Sequence, residues 1–218
     1  MPPVSRLATA AVAGYLLGTF PTADLVARRA SRGRVDLRRS GTGNPGTANA
    51  LNVLGPRAAA RVLVGDIGKG AAASAAGAVV AGPVGAHLAG TSAVIGHCYP
   101  VWTGFRGGKG VATSVGQCLA TFPAYFPVDT AVAVISVANP RWKQRAFATT
   151  VVSSACWVLG GIVWWRRDLG NLWGPTPTAM LPIASALSGA VIIGRFVSAA
   201  RAAPDPSPDA SPDESTAA

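Results

Sequence analysis

Three stretches of this chain carry no charged side chain: 36 residues between Lys69 and Arg106, 20 between Arg145 and Arg166, and 26 between Asp168 and Arg195. About 20 largely apolar residues suffice for an α-helix to cross a bilayer. A soluble domain has charges on roughly a quarter of its residues; here the share is 13% and the mean hydropathy is +0.36. The chain therefore reads as all-α, a polytopic membrane helical bundle.

Walking along the chain places seven spans. The first covers 7–27. It is followed by Arg28, Arg29, Arg32, Arg34, Arg38 and Arg39, against the single Arg6 before it. Cations collect on the cytoplasmic side of short loops, so the N-terminus is expected outside and the C-terminus in the cytoplasm. A signal peptide is disfavoured: the apolar run is long and has no cleavage site of small residues. Residues 40–56 are expected to form a polar cytoplasmic loop. The run 57–99 is long enough for two spans, with a turn at Gly82-Pro83. Further spans are expected over 111–127, 128–140, 146–165 and 178–197, with the basic cluster Arg141, Lys143 and Arg145 inside. Trp102 and Trp142 fall at cytoplasmic boundaries and Trp164, Trp165 and Trp173 at outer ones. Residues 1–203 form one membrane domain. Residues 204–218, rich in Pro, Ser, Asp and Ala, are expected to be disordered.

The net charge of +10 does not point to nucleic acid. The acidic tail masks a body of 19 cations against five anions, and much of that excess lies in short loops beside apolar runs. Cys98, Cys118 and Cys156 have no metal or redox spacing and read as small apolar groups. No metal-ligand cluster is expected.

Polar residues between apolar helices are where chemistry is to be sought. The stretch Gly96–Thr113, GHCYPVWTGFRGGKGVAT, combines five glycines with Arg106, Lys109 and His97. Glycine lets a backbone approach a ligand closely and turn its N–H groups toward an anion. Gly107, Gly108 and Gly110 with the two cations thus read as a phosphate-handling loop. A Walker A reading fails, because Thr103 stands where its first Gly belongs and Gly110 where its Ser or Thr belongs. The run Gly41-Thr-Gly-Asn-Pro-Gly46 matches a dinucleotide pattern but lacks the preceding apolar strand. Ser40, Thr42, Gly43, Asn44, Thr47 and Asn49 offer hydrogen bonds to a polyhydroxyl or phosphate ligand, or make a set of tight turns. Asp66 and Lys69 share a helix face at i, i+3, either as a site or as an interfacial pair, and Asp24 is a third polar position near a helix end. His97, close to cations, would be biased neutral and able to accept a proton. His87 reads as packing.

These motifs resemble the membrane acyl-phosphate:glycerol-3-phosphate acyltransferase family of bacteria, the PlsY family. LLGTFPTADLVAR is similar to its first helix, DLRRSGTGNPGTAN to its first cytoplasmic motif, GDIGKG to its Asp-x-x-Lys-Gly, and GHCYPVWTGFRGGKGVATS to its most distinctive motif. Thr42 and Asn52 stand where the family has Ser and Arg. The family's third, C-terminal motif is not recognisable; GRFVSAARAA, with Ser198 and Arg201, is the nearest segment. The resemblance implies transfer of an acyl group from acyl phosphate to the 1-hydroxyl of glycerol 3-phosphate, with no metal or other cofactor, at the cytoplasmic face of the cell membrane. It assigns His97 and Lys109 to catalysis. Ser40, Thr42, Gly43, Asn44, Asn49, Asp66, Lys69, Arg106, Gly107, Gly108 and Gly110 become substrate and phosphate contacts. A paralogue with another acceptor or with binding alone, and a small membrane transporter, are the competing readings.

Overall fold

The computed structural model describes residues 2–138 and 145–201. Arg141, Trp142, Lys143 and the acidic tail lie outside the described residues. Among the described residues eight α-helices follow in order: α1 Val4–Gly18, α2 Thr22–Ser31, α3 Thr47–Leu54, α4 Pro56–Cys98, α5 Val111–Thr121, α6 Phe126–Ala138, α7 Arg145–Arg167 and α8 Met180–Arg201. Among the described residues no strand occurs. Four stretches among the described residues are long and apolar enough to cross a membrane: Val4–Ser31, Pro56–Thr103, Ala146–Arg167 and Met180–Arg201. α5 and α6, bent by 114° at their junction, make a fifth candidate.

The centre of the bundle is α4. Its 43 residues are not one rod, because Ala81 (φ −140°, ψ 22°) and Gly82 (φ 63°, ψ −154°) leave the helical region. The Gly82 conformation is essentially restricted to glycine, and Pro83 disfavours a helical residue before it. The chain doubles back, so arms 56–80 and 83–98 pack against each other: Gly77 faces Gly85 and Ala89, and Ser74 faces Gly90. The turn falls at Gly82-Pro83, where the sequence placed it, between two helical arms. α1 lies on the second arm, with Gly14 against the Ala89 backbone and Gly18 against that of Ala93, contacts in which a Cβ would collide. Small residues of this kind let helix backbones approach in lipid. The centre also holds polar groups that satisfy one another: Gln117 Nε2 donates to Thr91 Oγ1 at 3.2 Å and Ser188 Oγ donates to Gln117 Oε1 at 2.8 Å.

Three expected boundaries shift. The span placed at 7–27 breaks at Thr19–Pro21, since Pro21 has no N–H to offer the helix; α2 then starts at Thr22. The polar loop placed at 40–56 contains α3, which starts after the extended Gly46 (φ −152°, ψ 175°). The span placed at 111–127 ends as a helix at Thr121. Its 11 residues rise about 17 Å, short of the ~30 Å hydrocarbon core. The bend that follows rests on aromatic packing: Phe122 stacks on Tyr125 at 5.0 Å, and Trp164 meets Phe122 edge-on at 5.4 Å. Asn171 Nδ2 donates to the Thr121 carbonyl at 3.0 Å and Trp173 Nε1 to that of Leu119 at 2.9 Å. Between them they satisfy carbonyls orphaned at the end of α5. His87 is buried with neither ring nitrogen hydrogen-bonded, and the three cysteines are free thiols.

Candidate active site

The break after α1 exposes a carbonyl that an unbroken helix would have used. Lys69, on the first arm of α4, donates to this Phe20 oxygen at 3.1 Å and to Asp66 Oδ1 at 2.9 Å. His97, at the end of the second arm, presents Nδ1 to the same Asp66 oxygen at 3.6 Å, an electrostatic contact longer than a hydrogen bond. All three side chains are nearly inaccessible. Charges inside a membrane helix persist when they pair, and this cluster meets that condition.

Around the cluster the loops are tied down. Arg38 forms an ion pair with Asp24 through Nη1 and donates from Nε to the Arg106 carbonyl at 3.0 Å. Trp102 Nε1 donates to Thr19 Oγ1 at 3.0 Å. Asn49 is buried and turned inward: Nδ2 donates to the Leu37 and Ser40 carbonyls, each at 2.9 Å, and Oδ1 accepts from the Thr42 N–H at 2.9 Å. With both amide hydrogens and its oxygen in use, Asn49 organises the 37–49 loop rather than facing a ligand, which corrects the sequence assignment. Gly41, at φ 59°, has no room for a Cβ against the Asn49 amide.

The glycine-cation loop is also fastened. Gly107 N–H donates to the Cys98 carbonyl at 3.1 Å and Gly108 N–H to that of His97 at 3.2 Å. These two amides, expected to face phosphate, are therefore occupied by the end of α4. A Cβ on Gly108 would strike His97 Nε2, so the glycine is required by the imidazole packed against it. On the other side, Arg195 of α8 donates from Nη2 to the Gly107 carbonyl at 2.9 Å and reaches the Gly108 carbonyl from Nε at 3.4 Å.

Two cavities lie near this loop, and Gly107 and Gly108 line the first. The first, about 30 Å³, is lined by Asp24, Arg38, Asp66, Lys69, His97, Trp102 and the two glycines. The second, about 720 Å³, is lined by Thr42, Asn44, Lys109 and Arg201 together with Ala146, Phe147, Phe196, Val197, Ala199 and Ala200. The sequence residues thus divide. Asp66, Lys69 and His97 gather in the first cavity, while Lys109, Thr42 and Asn44 gather in the second. His97 and Lys109, paired as catalytic by sequence, line different spaces. The Arg106 side chain is exposed and lines neither cavity, nor do Ser40, Gly43 and Gly110. Lys109 Nζ sits 4.1 Å from the Phe196 ring centroid. Partial burial, and then the nearby Arg195 charge, hold its pKa below the ordinary lysine value. Arg38, Arg195, Thr19 and Trp102 were not assigned to the site by sequence. The available signal for Arg195 was its position as a lone cation after 26 uncharged residues.

A bundle of long apolar helices that buries paired charges and carries an amphiphilic cleft defines an integral membrane protein with a polar site built largely from its loops. Comparison with known proteins is specific. The glycerol-3-phosphate acyltransferase family profile matches residues 8–202, and the chain belongs to that family. A glycerol-3-phosphate acyltransferase of Symbiobacterium thermophilum is 43% identical over 146 residues, covering 67% of this chain and 72% of the relative. One from Rubrobacter xylanophilus is 41% identical over 153 residues, covering 68% and 74%. The crystal structure of PlsY, an integral membrane glycerol 3-phosphate acyltransferase, in its glycerol 3-phosphate form superposes with a TM-score of 0.70 at 25% identity, covering 89% of this chain and 90% of that one.

Proposed function

We propose that this protein transfers an acyl group from acyl phosphate to the 1-hydroxyl of glycerol 3-phosphate, forming lysophosphatidate for phospholipid synthesis, and that the cleft holding Lys109 is where the substrates meet. The observation that carries this reading is the cleft's amphiphilic lining, with Lys109 and Arg201 at a trough walled by Phe147, Phe196 and aliphatic residues. Such a lining matches an acyl phosphate, whose head is anionic and whose tail is apolar. About 720 Å³ also leaves room for the small polar acceptor beside it.

Acyl phosphate is already activated, so the protein has to position two reactants and stabilise charge rather than supply a nucleophile. The acceptor oxygen forms a bond to the acyl carbon, the bond from that carbon to the phosphate oxygen breaks, and the hydroxyl proton leaves with inorganic phosphate. Lys109, aided by Arg201, stabilises the charge that accumulates on the departing phosphate. Thr42 and Asn44 supply hydrogen bonds at the cleft's other rim. His97, packed against Gly108 and in contact with Asp66, supports the loop that carries Lys109. In this reading the N-terminus lies outside and the cleft faces the cytoplasm of a bacterial cell membrane; the seven spans expected from sequence do not all appear among the described residues, since α5 and α6 together make one candidate crossing.

Purified protein in lipid, given palmitoyl phosphate and glycerol 3-phosphate, should release lysophosphatidate and phosphate in equal amounts. Lys109→Met should lower the rate by about 100-fold, the scale of a lost charge-assisted contact in the transition state. No product from the wild type, or near-normal transfer by Lys109→Met, would overturn the assignment.

A further inference from the structure

The Gly107-Gly108 pair poses a mechanical problem. Glycines have the largest backbone freedom to lose on ordering, and these two carry no side chain that could pack the strand in place. Lys109 follows them directly, so its reach into the cleft depends on how firmly they are held. Their N–H groups are fixed from one side by the carbonyls of Cys98 and His97. Their carbonyls are gripped from the other by Arg195. A guanidinium presents donors in a rigid fork suited to two neighbouring acceptors. Arg195 is braced in turn: its guanidinium carbon lies 5.2 Å from the Tyr99 ring centroid, and Tyr99 receives the Tyr15 hydroxyl on its carbonyl at 2.8 Å. The next residue on α8, Phe196, lies under the Lys109 ammonium. One turn of α8 therefore fixes both the backbone before Lys109 and the end of its side chain.

We infer that Arg195 is a positioning residue that acts twice on Lys109, by clamping the Gly107 and Gly108 carbonyls and by carrying a positive charge on the same turn of α8 that meets the Lys109 side chain. The role of Lys109 in transfer rests on the function proposed above; the clamp itself does not. The charged groups that face Lys109 among the described residues are Arg195 and Arg201 of α8. α7 contributes Ala146 and Phe147, and the 40s loop contributes Thr42 and Asn44.

Two variants separate the geometric action from the electrostatic one. Arg195→Lys keeps the charge and loses the fork; Arg195→Gln loses the charge and keeps one donor group. The first readout is the ionisation of Lys109, measured by mass spectrometry as the pH dependence of its labelling by an amine-reactive anhydride. It needs no transfer activity. Arg195→Gln should move the Lys109 midpoint to higher pH, because a like charge has been removed, whereas Arg195→Lys should leave it near the wild-type position. The second readout is transfer from palmitoyl phosphate, where both variants should lose at least about 10-fold in kcat/KM. The alkaline limb of the pH profile should move upward for Arg195→Gln alone. An unchanged Lys109 midpoint in Arg195→Gln, or equal midpoints in the two variants, would remove the charge from the proposal. Wild-type transfer by Arg195→Lys would remove the clamp. Should Arg195→Gln fail to fold, wild-type transfer by Arg195→Lys would still refute the clamp, and a 10-fold loss would support it. Wild-type protein that labels as described but transfers nothing would refute the proposed function and leave the clamp standing.

Discussion

The ion pair between Asp66 and Lys69 offers the sharpest test of what holds the site end of the bundle together. Both side chains are under a tenth exposed, and Lys69 Nζ lies 2.9 Å from Asp66 Oδ1. At an effective dielectric constant of about 20, that separation corresponds to an attraction of about 6 kcal/mol. The pair gives up its hydration to form, so the net gain is far smaller, and replacing both partners by apolar residues is often close to neutral. Removing one partner alone is different. Asp66→Asn leaves the Lys69 ammonium with neutral acceptors and without its carboxylate, and such an orphaned buried charge costs about 3–5 kcal/mol. For a chain of this size each kcal/mol shifts the unfolding midpoint by roughly 2–4 °C, so Asp66→Asn should melt about 6–20 °C early. Lys69→Met should fall in the same range, because it strands the carboxylate. The double variant Asp66→Leu with Lys69→Met should recover most of the loss. Thermal unfolding followed by tryptophan fluorescence in one detergent measures all four proteins. Single variants within about 2 °C of wild type, or a double variant as unstable as the two losses added, would refute the reasoning.

Other outcomes follow from the same geometry. Gly108→Ala should cost about 1–3 kcal/mol by overpacking against the His97 ring, and His97→Ala in the same chain should relieve part of it. A double-mutant cycle should therefore show coupling of at least about 0.5 kcal/mol, and additivity would argue against the contact. Gly82→Ala should cost about 1–3 kcal/mol through backbone strain alone, since no atom lies within 4 Å of the added methyl group. Gly68→Ala, an open position inside the first arm of α4, should instead stabilise by about 0.5–1 kcal/mol; thermal melts check both. Transfer activity should decline as pH rises through a Lys109 pKa lying below the ordinary value of about 10.4. The sign follows because the ammonium, not the neutral amine, attracts phosphate. Arg in place of Lys109 should extend activity to higher pH.

The architecture was readable because a bilayer selects on composition. Uncharged runs of 20 residues or more can hide their backbone polar groups only as helices, and Gly82-Pro83 announced the hairpin of α4 without any knowledge of its partners. The break at Pro21 was visible as an interruption, but its consequence was not: the carbonyl it frees is taken by Lys69, some fifty residues later in the chain. The site was legible as an inventory and not as an arrangement. His97 and Lys109 stand close in sequence yet line different cavities, and chain distance carries no sign of which space a residue faces. Asn49 looked like a ligand contact because asparagine in a glycine-rich loop offers donors and acceptors. Only the fold shows that all of them point inward. Arg195 belongs to the loop through contacts almost ninety residues away in sequence, a separation that no local pattern encodes.

The close seat of α1 on the second arm of α4 has a consequence for how the protein is made. Gly14 and Gly18 are spaced as a GxxxG face, and their partners Ala89 and Ala93 are synthesised roughly 75 residues later. At the usual 5–20 residues per second, α1 waits about 4–15 s in the bilayer before the surface it fits exists. During that interval its small-residue stripe is open to the same kind of stripe on any other newly inserted helix. The yield of folded protein in the membrane is therefore tied to the pace of the ribosome across residues 19–93. Slow codons there would lengthen the exposure, and fast ones would shorten it.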